Sequence, residues 1–195
     1  MKKDKYSYYL VIDLEATCCD KKTIRRHEME IIEIGAVMVE SETLEIISEF
    51  QTFIKPVRNP NLTYFCRELT HIKQKDVDNA PLFKEAIKNL QKWLYQYDNF
   101  IFGSWGDYDR KQIEQDCNYH KIAYPINASH INIKKQFSDT QGLKKRLGMK
   151  QALEYVNLPL DGTHHRGIDD ARNIAKLLPF IFLSKGQGAM GNGQR

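Results

Sequence analysis

Short apolar runs open the chain, and segments with apolar residues at helical spacing follow them. Tyr8-Tyr9-Leu10-Val11-Ile12 is a run of β-forming residues that stops at Asp13, which predicts a buried first strand over residues 8–13. Residues 18–29, with Asp20, Lys21, Lys22, Arg25 and Arg26, read as a charged loop. Ile31 to Val39 is nearly all apolar and predicts a central second strand; a polar turn at 40–43 leads into a third over 45–54. Strands joined so briefly predict an antiparallel meander.

Pro56 and Pro60 end that pattern and a mainly helical region begins. Phe83, Ile87, Leu90, Trp93 and Leu94 recur at helical spacing within a helix predicted over 80–97. A short fourth strand is predicted at 99–102, a helix over 107–120 with Ile113 and Cys117 on one face, and a fifth strand at 131–133. Short helices are expected within 142–157, and a last helix over 169–183 turns Ala171, Ile174, Ala175 and Leu178 inward. Strands first, then strands alternating with helices, predict an α/β fold: a mixed five-stranded sheet flanked by helices. One domain is expected over 1–185, with a disordered Gly- and Gln-rich tail over 186–195.

Composition narrows the picture modestly. With 42% hydrophobic and 28% charged residues among 195, the chain reads as an ordinary soluble domain, and a net charge of +4 is compatible with a polyanionic partner. The apolar run after the basic start is too short for a signal peptide, and no stretch approaches the length of a membrane span. Cys18, Cys19, Cys66 and Cys117 form no C-x-x-C pair, and two are adjacent, so they read as free thiols of a reducing cytoplasm.

The candidate chemistry lies in three places. Asp13 and Glu15 are two positions apart, so on a strand they share one face while Ile12 and Leu14 point the other way into the core. Like charges held so close repel, and a fold keeps such a pair mainly when a cation sits between them; the alternative is a strand end reaching solvent. Asp107 and Asp109 follow the fourth strand in Gly103-Ser104-Trp105-Gly106-Asp107-Tyr108-Asp109, where Asp107 suits the helix N-cap and Asp109 the first turn; both could simply complement the helix dipole. His165 and Asp170 lie five apart, which on one helix separates side chains by roughly 140°. His165 therefore belongs on a loop before the helix, with Gly167 giving the bend and Asp170 in the first turns; His164 and Asp169 are the fallback pair, Asp169 being the better N-cap.

Together, Asp13-x-Glu15, Asp109 in Trp-Gly-Asp-Tyr-Asp, and His165-x-x-x-x-Asp170 resemble the three motifs of the DEDDh 3′-to-5′ exonucleases, the DnaQ-like group within the ribonuclease H-like fold. A sister group would place Tyr four before the last acid, where this chain has Arg166. Trp105 stands where many DEDDh enzymes have Asn. Asp13 to Cys18, Phe65-Cys66-x-x-Leu69-Thr70-x-Ile72, Gly148-Met149 and Gly167 to Ala175 are similar to the enhanced-RNAi subgroup. That subgroup includes histone-mRNA 3′-end exonucleases and bacterial relatives described as inhibitors of the sporulation pathway. Its eukaryotic members carry an extra nucleic-acid-binding domain; seven residues before the first strand lead us to expect none here.

The resemblance implies a metal-dependent exonuclease releasing 5′-mononucleotides from a single-stranded 3′ end, RNA rather than DNA. It implies two Mg²⁺ or Mn²⁺ ions bound by Asp13, Glu15, Asp109 and Asp170, with His165 as general base. Leu14, Glu15, Ala16, Thr17 and His165 would border the substrate, Glu15 and Ala16 at the terminal ribose, where a 2′-hydroxyl contact favours RNA. Trp105, Tyr108, Tyr64 and Phe65 could stack bases or simply pack in the core. Two other readings stay open: a DNA proofreading or repair exonuclease with the same site, and a non-catalytic nucleic-acid-binding regulator. The second should lack an acid or the histidine, and all five are present.

Overall fold

The computed structural model describes residues 6–21 and 23–182. The tail expected to be disordered, 186–195, lies outside them, as do the ends of the domain span 1–185. Three strands come first: β1 (Tyr8–Ala16), β2 (Ile31–Glu40) and β3 (Ile46–Phe53), the predicted antiparallel meander. The charged loop between β1 and β2 holds a single 3-10 turn at Arg26–Glu28. Helices α1 (Tyr64–Thr70), α2 (Gln74–Asp78) and α3 (Phe83–Leu94) follow, then β4 (Phe100–Ser104), α4 (Tyr108–His120) and β5 (His130–Asn132). The chain finishes with α5 (Ile133–Thr140), α6 (Met149–Tyr155), α7 (Gly167–Ala175) and α8 (Pro179–Phe182).

The sheet order is β3-β2-β1-β4-β5, with β4 and β5 parallel to β1 and the meander antiparallel to it: the mixed five-stranded sheet expected. β1 is central, and strand alternation sends its side chains into two cores. Leu10, Ile12 and Leu14 pack with Phe83, Ile87, Leu90 and Ile113 from α3 and α4. Tyr9 and Val11 pack on the other face with Phe137, Leu153, Ala171 and Ile174 from α5, α6 and α7. Asp13 and Glu15 continue this second row, beyond the point where helices cover it.

Several boundaries differ from the sequence reading, each for a local reason. β1 runs to Ala16 rather than stopping at 13, because its pairing with β2 continues past both acids while that with β4 ends at Val11–Gly103. The helix expected over 80–97 starts at Phe83, after Pro81. Helix α5 was not expected; it starts directly after β5, with Ile133 and Phe137 buried one turn apart and the Asn132 side chain capping the Lys135 N–H at 2.9 Å. The last helix is two, because Pro179 removes a donor and starts a new turn. Among the described residues no helix is long and apolar enough to cross a membrane.

Candidate active site

The end of β1 extends past its pairing with β4, and the starts of α4 and α7 close on it. β4 stops pairing at Gly103, which leaves the Leu14 N–H without a strand partner; it donates to Asp109 Oδ1 at 3.2 Å. That bond fixes the first turn of α4 against β1. Asp107 occupies the N-cap position, but its side chain makes no capping bond and accepts from Asn132 Nδ2 at 3.0 Å instead. Asp109 is the acid that turns toward the strand.

Helix α7 is brought to the other side by two glycines. A Cβ on Gly35 of β2 would lie 2.0 Å from the Gly167 carbonyl carbon and 2.1 Å from Ile168 N, and a Cβ on Gly167 would lie 3.0 Å from the Asp13 oxygen. Only backbone fits in that gap, so α7 lies directly on β1 and β2, with Asp170 facing Asp13 and Glu15. Gly167 is thus required for close approach and not, as the sequence reading had it, for the bend. The bend falls at His165, whose φ of 64° is left-handed and costs a non-glycine residue about 1–2 kcal/mol. Asp170 helps offset that cost, since its Oδ2 accepts the His165 N–H at 2.9 Å. The N-cap position is Arg166 rather than Asp169, which instead accepts from Thr163 N at 2.9 Å and pairs with Arg172 at 2.9 Å.

Ligand oxygens of Asp13, Glu15 and Asp170 come within 4.8 Å of one another. Asp109 lies close enough to Asp13 for its charge to be the largest acidic influence there after burial. Burial and the surrounding acids push the Asp13 carboxyl well above its usual range and Glu15 up to about 9. Burial raises Asp109 to about 6 despite its backbone bonds, and raises Asp170 against the opposing pull of His164. Among the described residues no Lys or Arg forms an ion pair with Asp13 or Glu15. Clustered carboxylate oxygens, with no Lys or Arg against Asp13 or Glu15, match the needs of hard divalent cations.

His164 and His165 stack at 4.0 Å beside this cluster, and His164 Nδ1 is 3.0 Å from Asp170 Oδ2. Burial, then the His164 and His71 charges, lower the His165 pKa below its ordinary value. The cleft, of about 400 Å³, is lined by Ala16, Trp105, Tyr108 and both histidines together with the four acids. Leu14 borders it through its backbone; its side chain belongs to the core. Thr17 is not in the cleft. The strand bulges between Glu15 and Ala16, and the buried Thr17 hydroxyl accepts the Glu30 N–H at 3.0 Å. Tyr64 and Phe65 are exposed on α1 but do not line the cleft, whereas Leu69, one turn beyond Phe65, does. Trp105 packs 6.0 Å from Phe137, and the Arg26 guanidinium covers one face of Tyr108 at 4.2 Å.

One residue of the site was not picked out from the sequence. Glu33, fully buried on β2 and directly opposite Glu15, accepts from Arg166 Nε at 3.0 Å and Nη2 at 3.2 Å, Gly167 N at 3.1 Å and Gln51 Nε2 at 2.6 Å. It tethers the histidine loop to the sheet. Its signal was a lone acid within an otherwise apolar strand.

A sheet in this order, with acids from its middle strand and two helices gathered at one end, is the ribonuclease H-like arrangement of DEDDh exonucleases. The chain matches the exonuclease family (RNase_T) over residues 10–178 and belongs to that family. It is 35% identical over 184 residues to ERI1 exoribonuclease 3 of Mus musculus, covering 89% of this chain and 53% of that protein. The chain thus spans about half the length of the curated ERI1 exoribonuclease 3 relatives. The nuclease domain of 3′hExo, a DEDDh member solved bound to rAMP, superposes with a TM-score of 0.79 at 30% identity, covering 90% of this chain and 92% of that one. A 3′-exonuclease solved in recognition of the histone mRNA stem-loop gives 0.83 at 30% identity, covering 89% and 62%. The DEDDh family depends on divalent metal, in keeping with the donor set here.

Proposed function

We propose that the protein is a 3′-to-5′ exoribonuclease that removes 5′-mononucleotides from single-stranded 3′ ends, using two Mg²⁺ or Mn²⁺ ions held by Asp13, Glu15, Asp109 and Asp170. The observation that carries this reading is the meeting of Asp13, Glu15 and Asp170, from two distant segments, within 4.8 Å and without a basic partner for Asp13 or Glu15. Bound ions would activate the attacking water and stabilise charge on the phosphate and the leaving 3′ oxygen.

The chain's own residues do the rest. His165 is held by Asp170 through its backbone, and its lowered pKa keeps the ring neutral and able to accept a proton near pH 7. It takes that proton as water attacks the terminal phosphorus. The bond to the 3′ oxygen of the preceding nucleotide breaks, leaving a 5′-phosphate on the released nucleotide and a 3′-hydroxyl on the shortened strand. Glu15 and Ala16 border the terminal ribose, and Trp105 and Tyr108 offer ring surface to the base. The preference for RNA is supported by the relatives, which are named exoribonucleases, and by the rAMP and histone-mRNA structures. Four cysteines present as free thiols support a reducing, cytoplasmic setting.

A 5′-labelled single-stranded RNA incubated with Mn²⁺ tests the reading. A ladder shortening from the 3′ end, abolished by chelator and by Asp13→Ala, supports it. An uncut strand, or a ladder that Asp13→Ala leaves intact, overturns it, and a DNA strand cut faster than the matched RNA would favour the proofreading alternative.

A further inference from the structure

Between α5 and α6 the chain reads Gly142-Leu143-Lys144-Lys145-Arg146-Leu147-Gly148-Met149-Lys150, and no acid lies between Asp139 and Glu154. Lys144, Lys145, Arg146 and Lys150 are exposed, and among the described residues none of them forms an ion pair. Several cations elsewhere are matched: Lys135 with Asp139, Arg110 with Glu114, Arg172 with Glu49, Lys176 with Asp161. The basic segment is not a free loop. Leu143 and Leu147 pack against the α5–α7 core on either side of the three cations, and Met149 is buried in the same core. The Gln151 side chain accepts the Gly148 N–H at 3.0 Å. Gly148 and Met149 are also part of the wall of the active-site cleft.

Anchored at both ends, the segment presents four uncompensated positive charges beside the mouth of an acidic cleft. Ions bound in the cleft would neutralise its acids, but the phosphates upstream of the scissile bond lie outside it and gain from counter-charge near the entrance. We propose that Lys144, Lys145, Arg146 and Lys150 form a track for the phosphates of single-stranded RNA upstream of the scissile bond. This rests on reading the cleft as the 3′-end site. Lys144 lies four residues from Gly148, at most about 14 Å along the chain, so the track meets phosphates within a few nucleotides of the 3′ end. Contacts of this kind set affinity and salt dependence and carry no base preference.

The test compares the wild type with Lys144→Gln/Lys145→Gln/Arg146→Gln/Lys150→Gln, and with Lys84→Gln/Lys88→Gln/Lys92→Gln on the exposed face of α3 as a control that removes three positive charges elsewhere. Binding of a labelled single-stranded RNA of about a dozen nucleotides is followed by fluorescence anisotropy in chelator, so that it does not depend on turnover. Four lost contacts, at about 0.7 each for a single strand, should reduce the slope of log affinity against log salt by about 3. Affinity at low salt should fall at least tenfold. In turnover with Mn²⁺, KM for the long RNA should rise at least tenfold with kcat held, and KM for a dinucleotide, too short to reach the track, should rise much less. The α3 control should behave as wild type. An unchanged salt slope, or equal losses on both substrates, overturns the track. Wild-type protein that binds RNA through these residues yet cuts nothing would leave the track standing and sink the exonuclease reading.

Discussion

Glu33→Gln tests how the histidine loop is held. In the wild type one fully buried carboxylate accepts two bonds from Arg166 and one each from the Gly167 backbone and Gln51. The amide keeps the shape but loses the charge, and its NH₂ faces donors it cannot accept from. Removing one partner of a buried ion pair costs about 3–5 kcal/mol. The Arg166 side chain is 23% exposed, so water recovers part of its solvation and about 2–4 kcal/mol is the reasonable range. An opposing effect exists: Glu33 is one of the acids that raise Glu15, and neutralising it relieves that repulsion. It ranks behind burial and Asp170 as a cause, so the loss of the tether wins. For a domain of this size each kcal/mol moves Tm by about 2–4 °C, so Tm should fall by roughly 5–15 °C. Cleavage of labelled RNA should fall at least tenfold in kcat with a smaller change in KM, because the loop places His165 and Asp170. The double variant Glu33→Leu/Arg166→Met, which removes both charges, should recover much of the Tm and not the kcat. A Glu33→Gln protein that melts and turns over like wild type would refute the tether.

Other outcomes follow from the same geometry. Asp13→Asn should abolish cleavage yet raise the Tm of metal-free protein. The folded Asp13 and Glu15 carboxyls sit above their unfolded values, so metal-free wild type loses stability as pH rises from about 4 toward the Glu15 value of about 9, and a melt series in chelator should show a shallower decline for the variant. His165→Ala should lower kcat by about 10²–10⁴-fold while the Tm rise on adding Mn²⁺ is kept. The wild-type rate should climb with pH through a value below the ordinary histidine 6.5, since the ring must be neutral to take a proton. Gly35→Ala drives a methyl into the α7 backbone and should yield insoluble or strongly destabilised protein, read by thermal melt.

Most of the architecture was legible because it depends on local pattern. The nearly all-apolar run Ile31–Val39 marks a strand buried on both faces, and Asp13-x-Glu15 shares a face wherever the strand ends. What was hidden depends on contact between distant segments. That β1 runs on to Ala16 is decided by β2 across from it. That Gly167 serves packing rather than a turn is visible only once Gly35 lies beneath it. The Thr17 hydroxyl is taken up by Glu30, a partner that motif spacing cannot reveal. Glu33 is a lone charge in an apolar strand, but its meaning requires Arg166, which lies far along the chain.

The account stands on acids from separate segments holding divalent cations. Anomalous scattering from a crystal soaked in Mn²⁺ measures that directly. Peaks bonded to carboxylate oxygens of Asp13, Glu15 and Asp170, and lost in Asp170→Asn, are the expected result. An empty cluster at saturating Mn²⁺, with the ion bound elsewhere or nowhere, would contradict it.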